Sequence, residues 1–166
     1  MADQPSPPRT DVHSPERRSF NMSRIRGRDT KPEMLIRRGL HARGFRFRLH
    51  DPRLPGRPDM VLPARQSVIL IHGCFWHGHD CPMFRLPATR EEFWRSKIEA
   101  NRARDVLANE ALAAAGWRRL TVWECALRGR ARLAAEDALD VCERFLRGSD
   151  EAREVRGQWE RLESRL

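Results

Sequence analysis

The sequence predicts an α/β fold in which helices flank one mixed central sheet. Residues 68–71 form a continuous aliphatic run, which is typical of a strand buried on both faces. Segments with apolar residues at helical spacing alternate with strand-like segments, in the order helix, three strands, long helix, strand, helix. A chain of 166 residues is long enough for a single domain with one core.

The first predicted helix begins with a capping box. Thr30 is the expected N-cap, Pro32 lies in the first turn and Glu33 completes the box. Gly44 is expected to end this helix. Residues 45–49 alternate in polarity, as in a strand with one face in water.

A hairpin is expected next, because residues 64–66 are a short connection between strands 59–63 and 67–71. Asp59 follows the turn at 54–58, and the hairpin would bring it to the same end of the sheet as His72. A carboxylate at the edge of a strand can hold a hard cation such as Mg²⁺. Aspartate is also common in turns, and the turn alone would explain Asp59.

The long helix is expected to open at 87–89 and to run to about Ala115, with a second capping box between Thr89 and Glu92. Its expected core contacts are apolar residues at helical spacing, namely Phe93, Ile98, Val106, Leu107 and Leu112.

The remaining chain is expected to form a strand over 117–124 and a last helix over 130–146. Cys142 falls within the apolar pattern of that helix and is expected to be a small core residue. The polar segment 148–166 is expected to be a frayed helix or a tail.

Metal-binding side chains are concentrated directly after the aliphatic run. The pattern Cys74-x4-His79-x-Cys81 places two thiols and one imidazole within eight residues, and Cys125 can supply a fourth ligand from a neighbouring strand. A closed set of three cysteines and one histidine is typical of structural zinc. The alternative is buried thiols or disulfides, but disulfides require an oxidising compartment, and the first residues do not resemble a secretory signal.

The net charge of +9 points to an anionic partner. All of the 32 basic residues except Lys31 and Lys97 are arginines, which pair with phosphates and base edges in bidentate fashion. A GC-rich genome would also enrich arginine. No apolar run approaches the ~18 residues that a membrane span requires, so we expect a cytoplasmic protein that binds DNA or RNA.

The proline-rich residues 1–18 are expected to be disordered, and residues 148–166 to lie outside the single domain at 19–147. Within that domain, Ser19–Asp29 mixes basic residues with Phe20, Met22 and Ile25, as in an arm that inserts a wedge between base steps. A plain tail would explain the same pattern.

Four ordered blocks resemble the very-short-patch mismatch repair endonuclease (Vsr) family. They are LPGRPDMV at 54–61, HGCFWHGHDC at 72–81, PATREEFW at 87–94 and GW-x5-VWECALRGR at 116–130. The resemblance implies a restriction-endonuclease-like α/β fold with a structural zinc site. It also implies a DNA endonuclease that nicks beside the thymine of a T:G mismatch, which arises when 5-methylcytosine deaminates.

The resemblance implies a role for each matching residue of the catalytic site. Asp59 resembles the carboxylate ligand of a catalytic Mg²⁺, with the main-chain carbonyl of Ile71 as a second ligand. His77 resembles the general base for the attacking water. His72 and Glu33 resemble supporting catalytic groups that act through waters on the metal.

The resemblance also assigns the structural Zn²⁺ and the contacts with DNA. The zinc ligands it implies are the four that the spacing suggests, namely Cys74, His79, Cys81 and Cys125. Phe75, Trp76 and Trp94 resemble aromatics that enter the duplex beside the mismatch, and Met22 resembles a wedge from the arm.

The implied partner is double-stranded DNA containing a T:G mismatch. A functional link to a cytosine-5 DNA methyltransferase and to general repair enzymes is implied as well, together with a monomeric state and a place at the bacterial nucleoid. Two other functions fit the residues. One is a zinc-stabilised DNA-binding module without catalysis, and the other is a nuclease of this fold that cuts perfectly paired DNA.

Overall fold

The computed structural model describes residues 28–159, and these residues build a five-stranded mixed sheet flanked by helices. Its elements are α1 Lys31–Ala42, β1 Arg48–Leu49, β2 Met60–Leu62, β3 Ser67–His72, α2 Glu91–Ala114, β4 Arg118–Trp123, α3 Glu124–Leu127, α4 Ala135–Arg147 and β5 Ala152–Val155. The strands follow one another across the sheet in chain order. The first two pairings are antiparallel and the last two are parallel, which confirms the predicted mixed sheet.

The predicted hairpin is formed by β2 and β3, with Met60 opposite Ile69. A single 3-10 turn, Pro63–Arg65, connects them, and Gln66 takes a left-handed conformation that reverses the chain. The central strand β3 is buried over nearly its whole length, as its aliphatic run predicts.

Successive side chains of β3 point to opposite faces of the sheet. On one face, Ile69 packs in the main core with Ile36 of α1 and Phe145 of α4. On the other face, Val68 packs with Val61 and with Leu112 of α2. Cys142 is completely buried in the main core, as predicted. The sheet is therefore a rigid layer between α1 and α4 on one side and α2 on the other.

The predicted cap and core contacts of the long helix are partly wrong. The helix begins at Glu91, and its N-cap is Arg90 in a left-handed conformation instead of Thr89. Ile98 and Leu112 are buried, but Phe93, Val106 and Leu107 are 45%, 54% and 65% exposed. The buried pair lies 14 residues apart, which is about four helical turns, so α2 contacts the sheet along one narrow stripe.

The expectation of a polar tail from Gly148 is wrong for residues 152–155, which form β5 beside β4. Only Val155 of this strand is buried, so its sequence lacks the apolar alternation that reveals a strand. Two other boundaries also differ. The strand predicted at 45–49 is reduced to β1, and the last helix begins at Ala135, after the short α3.

The predicted arm with Met22 and the predicted tail at 1–18 fall outside the described residues, apart from the last two residues of the arm. Across residues 28–159, every helix is too short or too polar to cross a bilayer.

Candidate active site

The sequence-predicted site residues at 33–125 gather at one end of the sheet. A cavity of about 840 Å³ opens there, beyond the last residues of β3. Its lining includes Glu33 and Asp59, the strand end Ile71–His72, and His77 from the following loop. Three groups of possible metal-ligating side chains lie in and beside this cavity.

The first group is a buried cluster of three thiols and one imidazole. The Sγ atoms of Cys74, Cys81 and Cys125 and one ring nitrogen of His79 all lie within 4.8 Å of one another. His79 Nδ1 is 3.6 Å from the Sγ atoms of both Cys74 and Cys125. Tetrahedral bonds of about 2.3 Å to sulfur and about 2.0 Å to nitrogen would place these ligands about 3.5 Å apart. The cluster therefore fits a four-coordinate metal with no position left for a substrate.

The cysteine chemistry agrees with a metal cluster instead of disulfides. All four cysteines of the chain lie within the described residues, and all are free thiols. The hydrogen bond between Cys74 and Cys125 lowers the pKa of Cys125 and raises that of Cys74, and a hydrogen bond from the Gly157 main-chain N–H also lowers the pKa of Cys125. The thiolate is the form that binds a metal.

Segment 156–159 closes the outer side of this cluster. The Gly157 main-chain N–H donates to Cys125 Sγ over 3.4 Å, and Arg156 Nε lies 3.0 Å from His79 Nε2. A Cβ at position 157 would lie 2.6 Å from the Cys125 carbonyl oxygen, so only glycine fits there. Trp123, close to Cys125 in sequence, stacks on the His79 ring with centroids 3.9 Å apart. The outer side of the cluster is thus closed by a segment that lies far from its ligands in sequence.

The second group joins two stacked histidines to an aspartate. The rings of His72 and His77 are parallel, with centroids 3.8 Å apart. His77 Nδ1 lies 2.5 Å from Asp105 Oδ2. Because Asp105 holds the proton on Nδ1, Nε2 of His77 is left as the basic nitrogen. Burial lowers the pKa of His72 to about 4, so His72 is neutral at physiological pH.

Asp105 is a site residue that sequence reasoning missed. It belongs to α2, 28 residues after His77, in a stretch where the surrounding charges are mostly basic. The one available signal was an isolated acidic residue among arginines, which does not by itself indicate a site.

The loop that carries His77 is fixed at both ends. Main-chain hydrogen bonds join His77 N to Gly73 O and His79 N to Cys74 O. The side chain of Asn101 on α2 donates to the Trp76 carbonyl over 2.8 Å. Gly78 has a φ of 59°, and a Cβ there would lie 2.7 Å from the Ile98 side chain. The thiol cluster and α2 together therefore determine the position of His77.

The third group contains Asp59, Glu33 and His50. Asp59 Oδ2 accepts a hydrogen bond from the Ile71 main-chain N–H over 2.6 Å. The N–H and C=O of a residue in an extended strand point to the same side, so the Ile71 carbonyl faces Asp59 as well. Burial raises the pKa of Asp59 from its ordinary 3.8 to about 6. An ionised Asp59 at this position would be stabilised by a cation.

Glu33 is a helix cap and a wall of the cavity at the same time. Its Oε1 accepts from the Thr30 hydroxyl over 2.9 Å, while its Oε2 accepts from the Asp29 main-chain N–H and from Arg37 Nη2. Thr30 is the N-cap, as predicted. Because both carboxylate oxygens are held by hydrogen bonds, Glu33 has a fixed orientation toward the cavity.

The three aromatic residues predicted to contact DNA form one partly buried cluster. The Phe75 ring lies 5.1 Å from Trp76 and 5.4 Å from Trp94, in edge-to-face arrangements. Lys97 Nζ lies 5.8 Å from the centre of the Trp76 ring. Trp76 also lines the cavity that holds Asp59 and His77. The aromatic cluster and the catalytic candidates thus share one surface.

Comparisons with known proteins agree with this geometry. The family model described as DNA mismatch endonuclease Vsr matches residues 10–83. A type II nicking enzyme from Xanthomonas oryzae is 52% identical, over 76% of this chain and 93% of its own length. The DNA mismatch endonuclease Vsr of Escherichia coli is 45% identical, over 87% of this chain and 93% of its own length. A type II nicking enzyme from Neisseria meningitidis is 42% identical, over 74% of this chain and 87% of its own length. The chain therefore belongs to the Vsr DNA mismatch endonuclease family, and it is a DNA nicking endonuclease of mismatch repair.

Proposed function

We propose that this endonuclease requires Mg²⁺, is stabilised by Zn²⁺ and recognises the T:G mismatch left by deamination of 5-methylcytosine. It nicks the strand next to the mismatched thymine and so initiates very-short-patch repair. The observation that carries the proposal is the shared cavity, in which Asp59, His72 and His77 lie together beside Trp76.

His77 is the general base in this proposal. Asp105 keeps the proton on Nδ1 of His77, so Nε2 can take a proton from the water that attacks the phosphate. The neutral His72 ring stacks on His77 and limits its rotation without adding charge. Within the described chain, Lys31 is the only lysine that lines the cavity, so histidine is the better candidate for proton transfer.

Asp59 and the Ile71 carbonyl are the proposed Mg²⁺ ligands. Both offer hard oxygen atoms, which Mg²⁺ prefers, and the cation would supply electrostatic stabilisation of the charge that develops on the phosphate. The Ile71 N–H bond fixes one oxygen of Asp59 and leaves the other for the cation. Glu33 and His72 support this site from the cavity wall.

Zn²⁺ is the proposed metal of the thiol cluster, because three thiolates and an imidazole in a closed tetrahedral set are its usual ligands. Binding at a structural zinc site contributes on the order of 10 kcal/mol or more. This free energy would hold the loop between Cys74 and Cys81, which carries both His77 and the aromatics.

Mismatch selectivity follows from the balance of stacking free energies. Stacking a base on an aromatic side chain contributes about 1–3 kcal/mol, and unstacking a base step costs a few kcal/mol. The two nearly cancel for a normal pair, so Phe75, Trp76 and Trp94 would enter the duplex only at a weakly stacked wobble pair. Met22 is proposed as a wedge from the N-terminal arm.

The partners proposed for this function are DNA with a T:G mismatch, a cytosine-5 DNA methyltransferase that generates the vulnerable base, and general repair enzymes that complete the repair. The protein would act as a monomer in the cytoplasm, at the nucleoid.

The decisive experiment is a nicking assay on end-labelled T:G, G:C and T:A duplexes with random flanks, with and without Mg²⁺. We expect a nick beside the thymine of T:G only, and only with Mg²⁺. Asp59→Ala should abolish nicking while T:G binding survives, and Asp137→Ala, which removes an exposed aspartate of α4, is the matched control. Equal cutting of paired DNA, or cutting without a divalent cation, would contradict the proposal.

A further inference from the structure

His50 lies outside the lining of the main cavity, but it shares a neighbouring pocket with Asp59, and sequence reasoning did not single it out. It follows β1 and lies in the left-handed region, with a φ of 47°. This conformation costs a non-glycine residue about 1–2 kcal/mol. Such strain is retained where surrounding contacts impose it, and it clusters at functional sites. The side chain is 23% exposed, so the ring is held against the protein.

A buried arginine selects the tautomer of the His50 ring. Nη2 of Arg37 lies 2.9 Å from His50 Nε2, and the same nitrogen lies 2.7 Å from Glu33 Oε2. Arginine can only donate, so Nε2 of His50 must accept. The neutral ring then carries its hydrogen on Nδ1. Arg37 is only 6% exposed and thereby couples His50 to Glu33.

The Nδ1–H group of His50 faces the active site. Nδ1 is 3.9 Å from Asp59 Oδ1, which is the oxygen that the Ile71 hydrogen bond leaves free. This distance is too long for a direct hydrogen bond. One water molecule that bonds to both atoms would span it.

We propose that His50 is a positioning residue for the cation held by Asp59, an inference that rests on the proposed function. Its Nδ1–H donates to a water of the cation's hydration shell and orients that water against Asp59 Oδ1. His50 does not bind the cation itself. Binding through Nδ1 would move the hydrogen to Nε2, where it would face the Arg37 guanidinium at 2.9 Å. Arg37 is buried and held by Glu33, so it cannot turn away as the more exposed Arg156 beside His79 can. Mg²⁺ commonly keeps several waters when it binds protein, so a donor to its hydration shell suits this cation.

Two substitutions at position 50 isolate the donor from the backbone. His50→Asn and His50→Gly both tolerate a positive φ, because asparagine and glycine adopt this conformation readily. Asparagine also carries an N–H donor close to the position of Nδ1, whereas glycine has none. Gln66→Gly is the matched control, since Gln66 has the same φ of 47° and lies in the β2–β3 turn, outside the lining of the cavity.

The measurement is Mn²⁺ binding by the full chain in complex with a T:G duplex, followed by the EPR signal of free Mn²⁺. A His77→Ala background slows cleavage during the titration. Loss of an outer-shell partner typically weakens a metal site about 10- to 100-fold. We expect His50→Gly to weaken Mn²⁺ binding by roughly this factor, and His50→Asn and Gln66→Gly to keep the affinity of the parent.

An unchanged affinity in His50→Gly would overturn the inference. An equal loss in His50→Asn and His50→Gly would also overturn it, because ring packing instead of the donor would then be responsible. Competition by Mg²⁺ provides a third test. A direct ligand role would lower Mn²⁺ affinity more than Mg²⁺ affinity, since imidazole suits Mg²⁺ poorly, whereas the water-mediated role lowers both equally. Nicking of T:G DNA by the unaltered chain tests the proposed function separately.

Discussion

Replacing Asp59 with asparagine should remove activity and increase stability at the same time. The asparagine side chain could still accept the Ile71 N–H bond through its carbonyl oxygen, so the local fold should survive. The variant loses the negative charge that we propose for binding the cation. The same charge is unfavourable in the folded protein without a cation, because burial raises the pKa of Asp59 to about 6.

The size of the stability gain follows from the pKa. The Asp59 side chain is 19% exposed, so solvent screens it only partly. One pKa unit corresponds to about 1.4 kcal/mol, and the rise from 3.8 to about 6 therefore corresponds to about 3 kcal/mol. The folded pKa is the higher one, so the folded state binds more protons between the two values. Relative to the variant, the parent loses stability as pH rises through this window and stays less stable above it.

The assay is urea denaturation of both proteins between about pH 5 and 7.5, where a thiolate cluster keeps its zinc, with no other divalent cation present. The variant should be more stable by about 3 kcal/mol at neutral pH, and this difference should shrink as the pH falls through about 6. Added Mg²⁺ should stabilise the parent and leave the variant unchanged. A variant less stable than the parent at neutral pH, or one that still nicks T:G DNA, would refute the reasoning.

Three other predictions follow from the site. His77→Ala should lower the single-turnover nicking rate by roughly 10²- to 10⁴-fold with T:G binding intact, and Asp105→Ala should cause a smaller loss of rate. The control is His41→Ala, on the exposed side of α1. An unchanged rate in His77→Ala would remove His77 as the base. Cys125→Ser should lower the zinc content and the unfolding temperature together, whereas Cys142→Ser should leave the zinc content unchanged. Full zinc retention in Cys125→Ser would show that the fourth ligand lies elsewhere. DNA affinity should fall by roughly 10³- to 10⁵-fold between about 50 and 200 mM salt if six to ten phosphates are contacted, and a flat response would contradict a role for the arginines in binding.

Short-range patterns predicted much of this protein correctly. The β2–β3 hairpin followed from one short connection between two apolar runs, and the N-cap at Thr30 from a local pattern. Three of the four residues in the thiol cluster lie within eight positions of one another, so their spacing alone indicated a cluster that can hold a metal. In each case the residues that interact are close in sequence or are ordered by one rigid strand.

Residues brought together by tertiary packing could not be predicted in this way. Asp105 reaches His77 only because α2 packs against the loop that follows β3, and His50 reaches Asp59 only through the turn after β1. Helical periodicity likewise does not reveal how much of α2 the sheet covers, so the exposure of Leu107 was missed. Strand β5 forms through main-chain pairing along an edge, and side-chain patterns carry little information about such pairing.

The position of Gly157 beside Cys125 ties the thiol cluster to the end of the described chain. The outer wall of the cluster comes from residues that follow, in sequence, every residue of the cavity lining. A chain cut after α4 would therefore keep all of the cavity residues and lose both β5 and this wall.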